Sequence, residues 1–251
     1  MTPEQIDQTA RALAEARRGD PLAMLAESGR PRTEDEAYAI QDAVARRLRE
    51  RIGGWKVGAA SPHEAPFFAP IYVSAVHASP ASLPARGFHL LGIECEIGFR
   101  IGRDLAARSE PYSRAEILAV AALHPTIEIV DSRYVDFRSL DRLSVLADNF
   151  SNGALVYGPP ATRWEGLDLV HPPIEVTADG RPFAECTGLR SGDPIRLLVA
   201  LVNHAAAYRG GVPAGTFVTT GTHTGMVFTE PGARIVADYG RLGQVEVSFP
   251  G

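Results

Sequence analysis

The 251-residue sequence has almost no lysine, because Lys56 is the single lysine among 25 basic residues and every other one is arginine. The formal net charge is −5, and the arginines form no long basic run. Proteins that bind nucleic acid carry clustered positive charge to neutralise phosphates. The composition therefore argues against a nucleic-acid partner.

Cysteines and long apolar segments are also scarce. Cys95 and Cys186 are too few and too far apart for a disulfide framework, and they fit a reducing compartment. The longest strictly apolar stretch, Ile117–Leu123, falls far short of the ~20 residues that a membrane-spanning helix needs. The first residues contain no apolar segment typical of a signal peptide. We therefore expect a cytoplasmic protein without a membrane partner.

The single lysine is a candidate catalytic residue. Its compact ammonium group can have its pKa lowered into a working range, which a guanidinium group cannot. An arginine-biased and alanine-rich composition explains the absence of other lysines equally well.

Helical patterns dominate the first fifth of the chain. Thr2, Pro3 and Gln5 predict the start of one helix, and Thr33 with Glu36 predicts a capping box that opens a second one. The apolar spacing of the second helix continues to Ile52, before two glycines. We expect a helical segment over 1–53 and a catalytic part over 54–251, together forming one compact domain.

Strand patterns outnumber helices beyond residue 54. Helices are predicted over Ser113–His124 and from Asp193 to about Arg209, and a strand over 126–130. Strands and helices do not alternate regularly. The fold class predicted is therefore α+β with a mixed sheet, not a doubly wound α/β fold.

Three glutamates lie on two predicted strands. Glu94 and Glu96 are two residues apart, so their carboxylates project from one face with Cβ atoms about 7 Å apart. Glu128 lies on the second strand. All three could simply face solvent, but in a cleft they would repel each other unless one was protonated or a cation neutralised them. Oxygen ligands without histidine or cysteine point to Mg²⁺ or Mn²⁺.

Several motifs occur together in a specific order: GWKVGAAS at 54–61, GIECEIGF at 92–99, TIEIVDSR at 126–133, ADNFSNGALVYG at 147–158 and TTGTHTGMVF at 219–228. With this set the sequence resembles the fumarylacetoacetate hydrolase superfamily, and within it the branch of 2-oxopent-4-enoate hydratases and 4-oxalocrotonate decarboxylases. The resemblance implies a mixed β-roll fold with N-terminal helices. It also implies a homo-oligomer that can associate with a related hydratase or decarboxylase.

The resemblance further implies roles for individual residues. It assigns the metal ligands to Glu94, Glu96 and Glu128, and a catalytic role to Lys56. It assigns substrate binding to four polar residues, namely Tyr72, Asn149, Ser151 and Thr222.

One feature departs from the hydratases of this branch, which place an aspartate between the lysine and the paired glutamates. Residues 57–93 contain a single acid, Glu64, and Tyr72 and Ser74 lie where the aspartate is expected. His63 and Glu64 are candidate catalytic substitutes, because hydrolases of the superfamily use a His–Glu pair on a mobile lid. His63 could equally be a solvated loop histidine.

The function implied is that of a metal-dependent lyase acting on an unsaturated 2-oxo acid in the breakdown of aromatic compounds. Hydration of a 2-hydroxy-dienoate and decarboxylation of an oxalocrotonate-type acid share a metal-chelated enolate. An acylpyruvate-type C–C bond hydrolase and a non-catalytic partner subunit of a hydratase–decarboxylase complex are also compatible with the sequence. An arginine in the cavity far from the metal would select a diacid.

Overall fold

The computed structural model describes all residues, 1–251, as five α-helices, fifteen β-strands and six short 3₁₀ helices, joined by turns and loops. The helices are α1 (Pro3–Ala16), α2 (Glu34–Leu48), α3 (Arg114–Leu118), α4 (Arg142–Ala147) and α5 (Pro194–Tyr208). None of them combines the length and the apolar character that crossing a membrane would require.

The strands are β1 (Ile52–Gly58), β2 (Phe67–Tyr72), β3 (Val76–Ala78), β4 (Ala81–Ser82), β5 (Gly92–Ile101), β6 (Leu105–Ala106), β7 (Ala121–Val130), β8 (Asn152–Tyr157), β9 (Glu175–Ala178), β10 (Arg181–Ala184), β11 (Gly211–Val212), β12 (Phe217–Thr222), β13 (Val227–Phe228), β14 (Arg234–Asp238) and β15 (Gln244–Ser248). An eight-stranded sheet has the order β2-β1-β12-β5-β7-β8-β3, with β13 paired to β5. A five-stranded sheet has the order β10-β9-β14-β15-β4. Because parallel and antiparallel pairs occur in both sheets, the predicted mixed-sheet α+β class is confirmed.

The two N-terminal helices begin where the caps predict. Thr2 and Gln5 form the reciprocal capping box of α1, and the Thr33 hydroxyl accepts a hydrogen bond from the Glu36 backbone N–H. The predicted capping box of α2 is only half present, because the Glu36 carboxylate accepts from the backbone N–H of Arg32 instead. The predicted extension of α2 to Ile52 is wrong, since Arg49 ends the helix in the left-handed conformation at φ 57°.

The prediction of a helix over Ser113–His124 is correct only for its first half. Helix α3 starts at the Ser113 cap and ends at Leu118, and β7 begins at Ala121. Strand β7 pairs with β5 along its full length of ten residues. This pairing outweighs the modest helix propensity of the alanine-rich segment.

Two main apolar clusters hold the elements together. The larger one fills the space between the sheets and α5, and the smaller one lies between α1, α2 and α4. Tyr72 of β2 belongs to the smaller cluster. The N-terminal helices therefore pack against the segment that follows β7.

A buried ion pair anchors this segment to the sheet. Arg133 follows β7, is 1% exposed, and donates its Nε to the Asp148 carboxylate. Its other nitrogens donate to the Asn152 carbonyl at 2.9 Å and to the Asp148 carbonyl at 2.8 Å. Arg133 therefore fixes both ends of the turn between α4 and β8.

We expect Arg133→Met to lower the free energy of unfolding by about 3–5 kcal/mol, because it leaves the buried Asp148 carboxylate without its counter-charge. Urea unfolding at 25 °C measures the change. The control is Arg11→Met, which removes an exposed pair with Glu15 and should change the free energy by less than about 0.5 kcal/mol. Equal changes in the two variants would contradict the structural role of Arg133.

Candidate metal centre and its cavity

The three predicted ligands lie on adjacent antiparallel strands. Glu94 of β5 is the direct register partner of Glu128 of β7, and Glu96 follows two residues along β5. Each residue offers one carboxylate oxygen, and these oxygens all lie within 4.8 Å of one another. The period of two along a strand therefore brings the three carboxylates together, and all three are buried.

Lys56 reaches this cluster from β1, which β12 separates from β5. Its Nζ donates to Glu94 at 3.2 Å and to Glu128 at 2.9 Å. Burial alone would lower the pKa of Lys56, but the neighbouring carboxylates of Glu128, Glu94 and Glu96 raise it above its ordinary value. These surroundings therefore do not lower the pKa of Lys56 into the working range that a catalytic lysine can have. The Lys56 ammonium is charged.

The cluster carries more negative charge than Lys56 neutralises. Burial and the adjacent carboxylates raise the pKa of Glu96 well above its ordinary value, and burial also raises that of Glu128. Oε1 of Glu96 and Oε2 of Glu128 are buried without any hydrogen-bond donor. Two unpartnered buried oxygens beside a third carboxylate fit a divalent cation that prefers oxygen ligands.

A bulge in β12 brings the backbone to the same cluster. The register of β12 against β5 shifts between Thr219 and Thr222, and the intervening Gly221 has φ 91°. A side chain at this φ would be strained. The Gly221 N–H donates to Oε2 of Glu96 at 2.9 Å, so one carboxylate oxygen is held while the other stays free.

The turn between α4 and β8 contains three consecutive non-glycine residues in the left-handed region. Asn149, Phe150 and Ser151 have φ values of 51°, 50° and 58°. Each such residue costs about 1–2 kcal/mol, and strain of this kind is concentrated at functional sites. The turn directs the Ser151 side chain to the cavity wall, where its buried hydroxyl has no protein partner.

A cavity of ≈ 780 Å³ opens above the carboxylates. Lys56, Glu94 and Glu96 line its inner end. Its walls carry the apolar side chains Val57, Phe67, Phe137, Val145, Phe150 and Met226. Arg142 and Arg190 also line it, so the cavity combines a charged end with an apolar body and two cationic groups.

The structure brings some of the predicted site residues together and not others. Lys56, Glu64, Ser151 and Thr222 line the cavity with Glu94 and Glu96, and Glu128 is buried beside Lys56. His63 is exposed and does not line the cavity. Tyr72 and Asn149 are buried next to each other and outside the cavity wall. The individual roles of these residues stay predictions.

Several cavity residues were not anticipated from the sequence. Phe67 and Phe150 stack with ring centroids 3.8 Å apart, and Arg142 lies over the Phe67 ring. His171 and Arg190 reach the wall from the loops on either side of the hairpin β9–β10. These residues come from distant segments with no shared spacing, so no local pattern links them.

Comparison with known proteins confirms the resemblance. Residues 40–249 match the sequence model described as fumarylacetoacetate (FAA) hydrolase C-terminal. A 2-keto-4-pentenoate hydratase of Paraburkholderia xenovorans LB400 is 29% identical over 261 residues, covering 99% of this chain and 96% of the relative. A 4-oxalocrotonate decarboxylase of a Pseudomonas species is 32% identical over 163 residues, covering 63% of this chain and 60% of that protein.

A solved structure shows the same fold at full length. The 4-oxalocrotonate decarboxylase of Pseudomonas putida G7, complexed with magnesium and adipate, superposes with a TM-score of 0.85 at 27% identity, covering 99% of this chain and 98% of that chain. The family match and this superposition place the chain in the fumarylacetoacetate hydrolase family, among relatives that are enzymes.

If the three glutamates bind a divalent cation, added Mg²⁺ will raise the melting temperature of the wild type. The stabilisation is about 2.7 kcal/mol at a concentration 100 times the Kd. Glu96→Gln removes one ligand charge and should lose this response, whereas Glu64→Gln, in the same cavity, should keep it. Thermal unfolding of the three proteins at increasing Mg²⁺ concentrations measures the rise in melting temperature. An equal rise in all three would contradict the assignment of Glu96 as a metal ligand.

Proposed function

We propose that the protein is a divalent-metal-dependent lyase that acts on an unsaturated 2-oxo acid. One observation carries the proposal: three buried carboxylates and the single lysine lie together at a cavity whose wall combines apolar and charged side chains. The names of its hydratase and decarboxylase relatives support the same chemistry. We propose breakdown of aromatic compounds as the setting, because unsaturated 2-oxo acids arise when aromatic rings are opened.

The reaction requires stabilisation of negative charge on the C2 oxygen of the substrate. A divalent cation such as Mg²⁺ on Glu94, Glu96 and Glu128 would supply Lewis-acid stabilisation of that charge. An ammonium group has three N–H donors, and Lys56 uses two of them on Glu94 and Glu128. The third donor is left for the substrate oxygen.

Polar groups beside this end can orient the substrate carboxylate. The Ser151 hydroxyl is a buried donor without a protein partner. The Thr222 hydroxyl donates to the Gly225 carbonyl at 3.1 Å and accepts from the Thr224 backbone N–H at 3.3 Å, so it holds the loop that follows β12. We assign Ser151 to the substrate carboxylate, and Thr222 to positioning of the adjacent loop and of the substrate.

Two arginines of the cavity wall favour a substrate with a second carboxylate. Arg142 is paired with Glu34 at 2.7 Å, whereas Arg190 lines the cavity and forms no ion pair. A guanidinium group binds a carboxylate through two parallel N–H donors. The stacked rings of Phe67 and Phe150 suit a flat, conjugated carbon chain between the two charged ends. We therefore propose an unsaturated 2-oxo diacid as the substrate.

Decarboxylation is the reaction that these surroundings support best. Loss of CO₂ from a diacid leaves its electron pair in the dienolate, and a proton then returns to carbon. This sequence needs no water-activating group, and the conjugated chain carries the electron pair to the C2 oxygen at the metal end. Hydration is the second candidate, because Glu64 is a cavity acid that could activate water.

A C–C bond hydrolase and a non-catalytic subunit both receive less support from the cavity. A hydrolase needs an acid–base pair above the substrate, and His63 does not line the cavity beside Glu64. A non-catalytic subunit has no need for a lysine held between two buried carboxylates.

The enolate chemistry can be tested without the natural substrate. With Mg²⁺ in D₂O, the wild type should exchange the C3 protons of 2-oxopentanoate, as measured by NMR. Lys56→Ala should slow this exchange by about 10²–10⁴-fold, and Lys56→Arg should restore little, because the larger, planar guanidinium does not fit the position between Glu94 and Glu128 from which the ammonium donates. Exchange no faster than with Mg²⁺ alone would refute the proposed function.

The choice of substrate can be tested with two acids. Wild type should release CO₂ from 4-oxalocrotonate, and Arg190→Gln should raise the KM for this diacid by about tenfold or more, since a charge-assisted hydrogen bond is lost. The KM for the monoacid 2-keto-4-pentenoate should not change. Arg181→Gln, at an exposed position of β10, is the control. Faster hydration of the monoacid than CO₂ release would favour a hydratase instead.

A further inference from the structure

Arg196, on the first turn of α5, has an unusual set of partners for an arginine. It forms no ion pair, and all of its hydrogen-bond acceptors are backbone carbonyls. Its Nη1 donates to the Glu64 carbonyl at 3.3 Å, and its Nη2 donates to the carbonyls of Ser61 at 3.4 Å and Ser191 at 3.1 Å. One guanidinium group therefore contacts two separate loops.

Both of these loops form walls of the cavity. Loop 59–66 joins β1 to β2 and contributes Glu64, and loop 185–193 joins β10 to α5 and contributes Arg190. Glu64 is the only acid of the cavity wall outside the metal cluster, and Arg190 is the only arginine of the wall without an ion pair. Arg196 therefore connects the two loops that carry these residues.

The two loops differ in how they are held to the rest of the molecule. Loop 185–193 has its own backbone hydrogen bonds, from the N–H of Thr187 to His223 and from the N–H of Leu189 to Val170, both at 2.8 Å. Loop 59–66 forms turn bonds only within itself, and its hydrogen bonds to other parts of the chain come from Arg196 alone.

Close packing supports the same connection. Gly192 has φ 82°, and a Cβ atom at this position would lie 3.0 Å from the Cβ of Pro62. The loops therefore touch directly where Arg196 bridges them. A guanidinium group presents five N–H donors spread over a rigid plane, whereas a lysine ammonium presents three donors at a single point.

We infer that Arg196 is a positioning residue, which tethers loop 59–66 to loop 185–193 and so sets the separation of Glu64 and Arg190 across the cavity. The role in catalysis rests on the proposed function, whereas the tether itself does not. Without Arg196, loop 59–66 keeps its flanking strands, the packing of Ala59 against the larger apolar cluster and the Pro62–Gly192 contact, but no hydrogen bond to another part of the chain. The carboxylate binding site at Arg190 and the acid at Glu64 would then lose their fixed relation.

Cleavage by a glutamate-specific protease tests the tether directly, because Glu64 lies in the loop and is exposed. We expect Arg196→Gln to accelerate the cut after Glu64 by about tenfold, since hydrogen bonds from a charged donor are lost, and Arg196→Lys to restore only part of the protection. Mass spectrometry identifies the cut, and an unchanged rate of cleavage after the exposed Glu27 shows that the molecule has not unfolded globally.

The matched control is Arg114→Gln, because Arg114 contacts Asp193 at the start of the same helix but neither Glu64 nor Arg190. A second variant, Gly192→Ala, disturbs the loop contact without changing Arg196 and should also accelerate the cut. If cleavage after Glu64 accelerates in Gly192→Ala but not in Arg196→Gln, direct packing holds the loop and the inference is wrong. An equal effect of Arg114→Gln would also overturn it.

Kinetics then separate positioning from a purely structural role. Arg196→Gln should raise the KM for 4-oxalocrotonate by about tenfold, with a smaller effect on kcat, because binding of the second carboxylate depends on where Arg190 lies. Accelerated cleavage with an unchanged KM would refute the role in positioning. If the wild type shows no C3 exchange, the proposed function fails. The protease experiment still shows whether Arg196 tethers loop 59–66 to loop 185–193.

Discussion

Repulsion among three buried carboxylates is the constraint to which the rest of this site responds. Antiparallel pairing of β5 with β7 places Glu94 opposite Glu128, and burial prevents water from screening their charges. The surroundings supply one ammonium group, one backbone N–H and one amide from Asn152. These donors do not balance the charge. Without a cation such a cluster favours uptake of a proton, as the raised pKa of Glu96 indicates, so affinity for a cation is gained at the expense of the protein's own stability.

The two ends of the cavity are built in different ways. The inner end lies on long strands in the middle of the eight-stranded sheet, whose backbone hydrogen bonds fix each side chain closely. The outer end is formed by loops 59–66 and 185–193, and few backbone hydrogen bonds hold the first of them. Relatives can therefore share the groups of the inner end, which the strands hold rigidly. Changes in the two loops can then alter which molecules bind.

Local sequence patterns predicted the inner end well. The alternation of residues along β5 placed Glu94 and Glu96 on one face, because a strand has a strict period of two. The same kind of reasoning failed after Leu118, where the alanine-rich pattern favours a helix but pairing with β5 imposes a strand. The role of Arg196 could not be assigned from the sequence, since the Glu64 carbonyl that it holds is 132 residues away along the chain and only the tertiary fold brings the two together.

The left-handed turn at Asn149, Phe150 and Ser151 has a consequence for protein engineering. Replacing Ser151 by glycine would relieve torsional strain of about 1–2 kcal/mol and would also delete the buried, unpartnered hydroxyl on the cavity wall. Laboratory evolution that scores variants by melting temperature alone would therefore enrich changes in this turn that degrade the cavity. A selection scheme for this scaffold has to score turnover together with thermostability, because at this turn the two properties favour opposite residues.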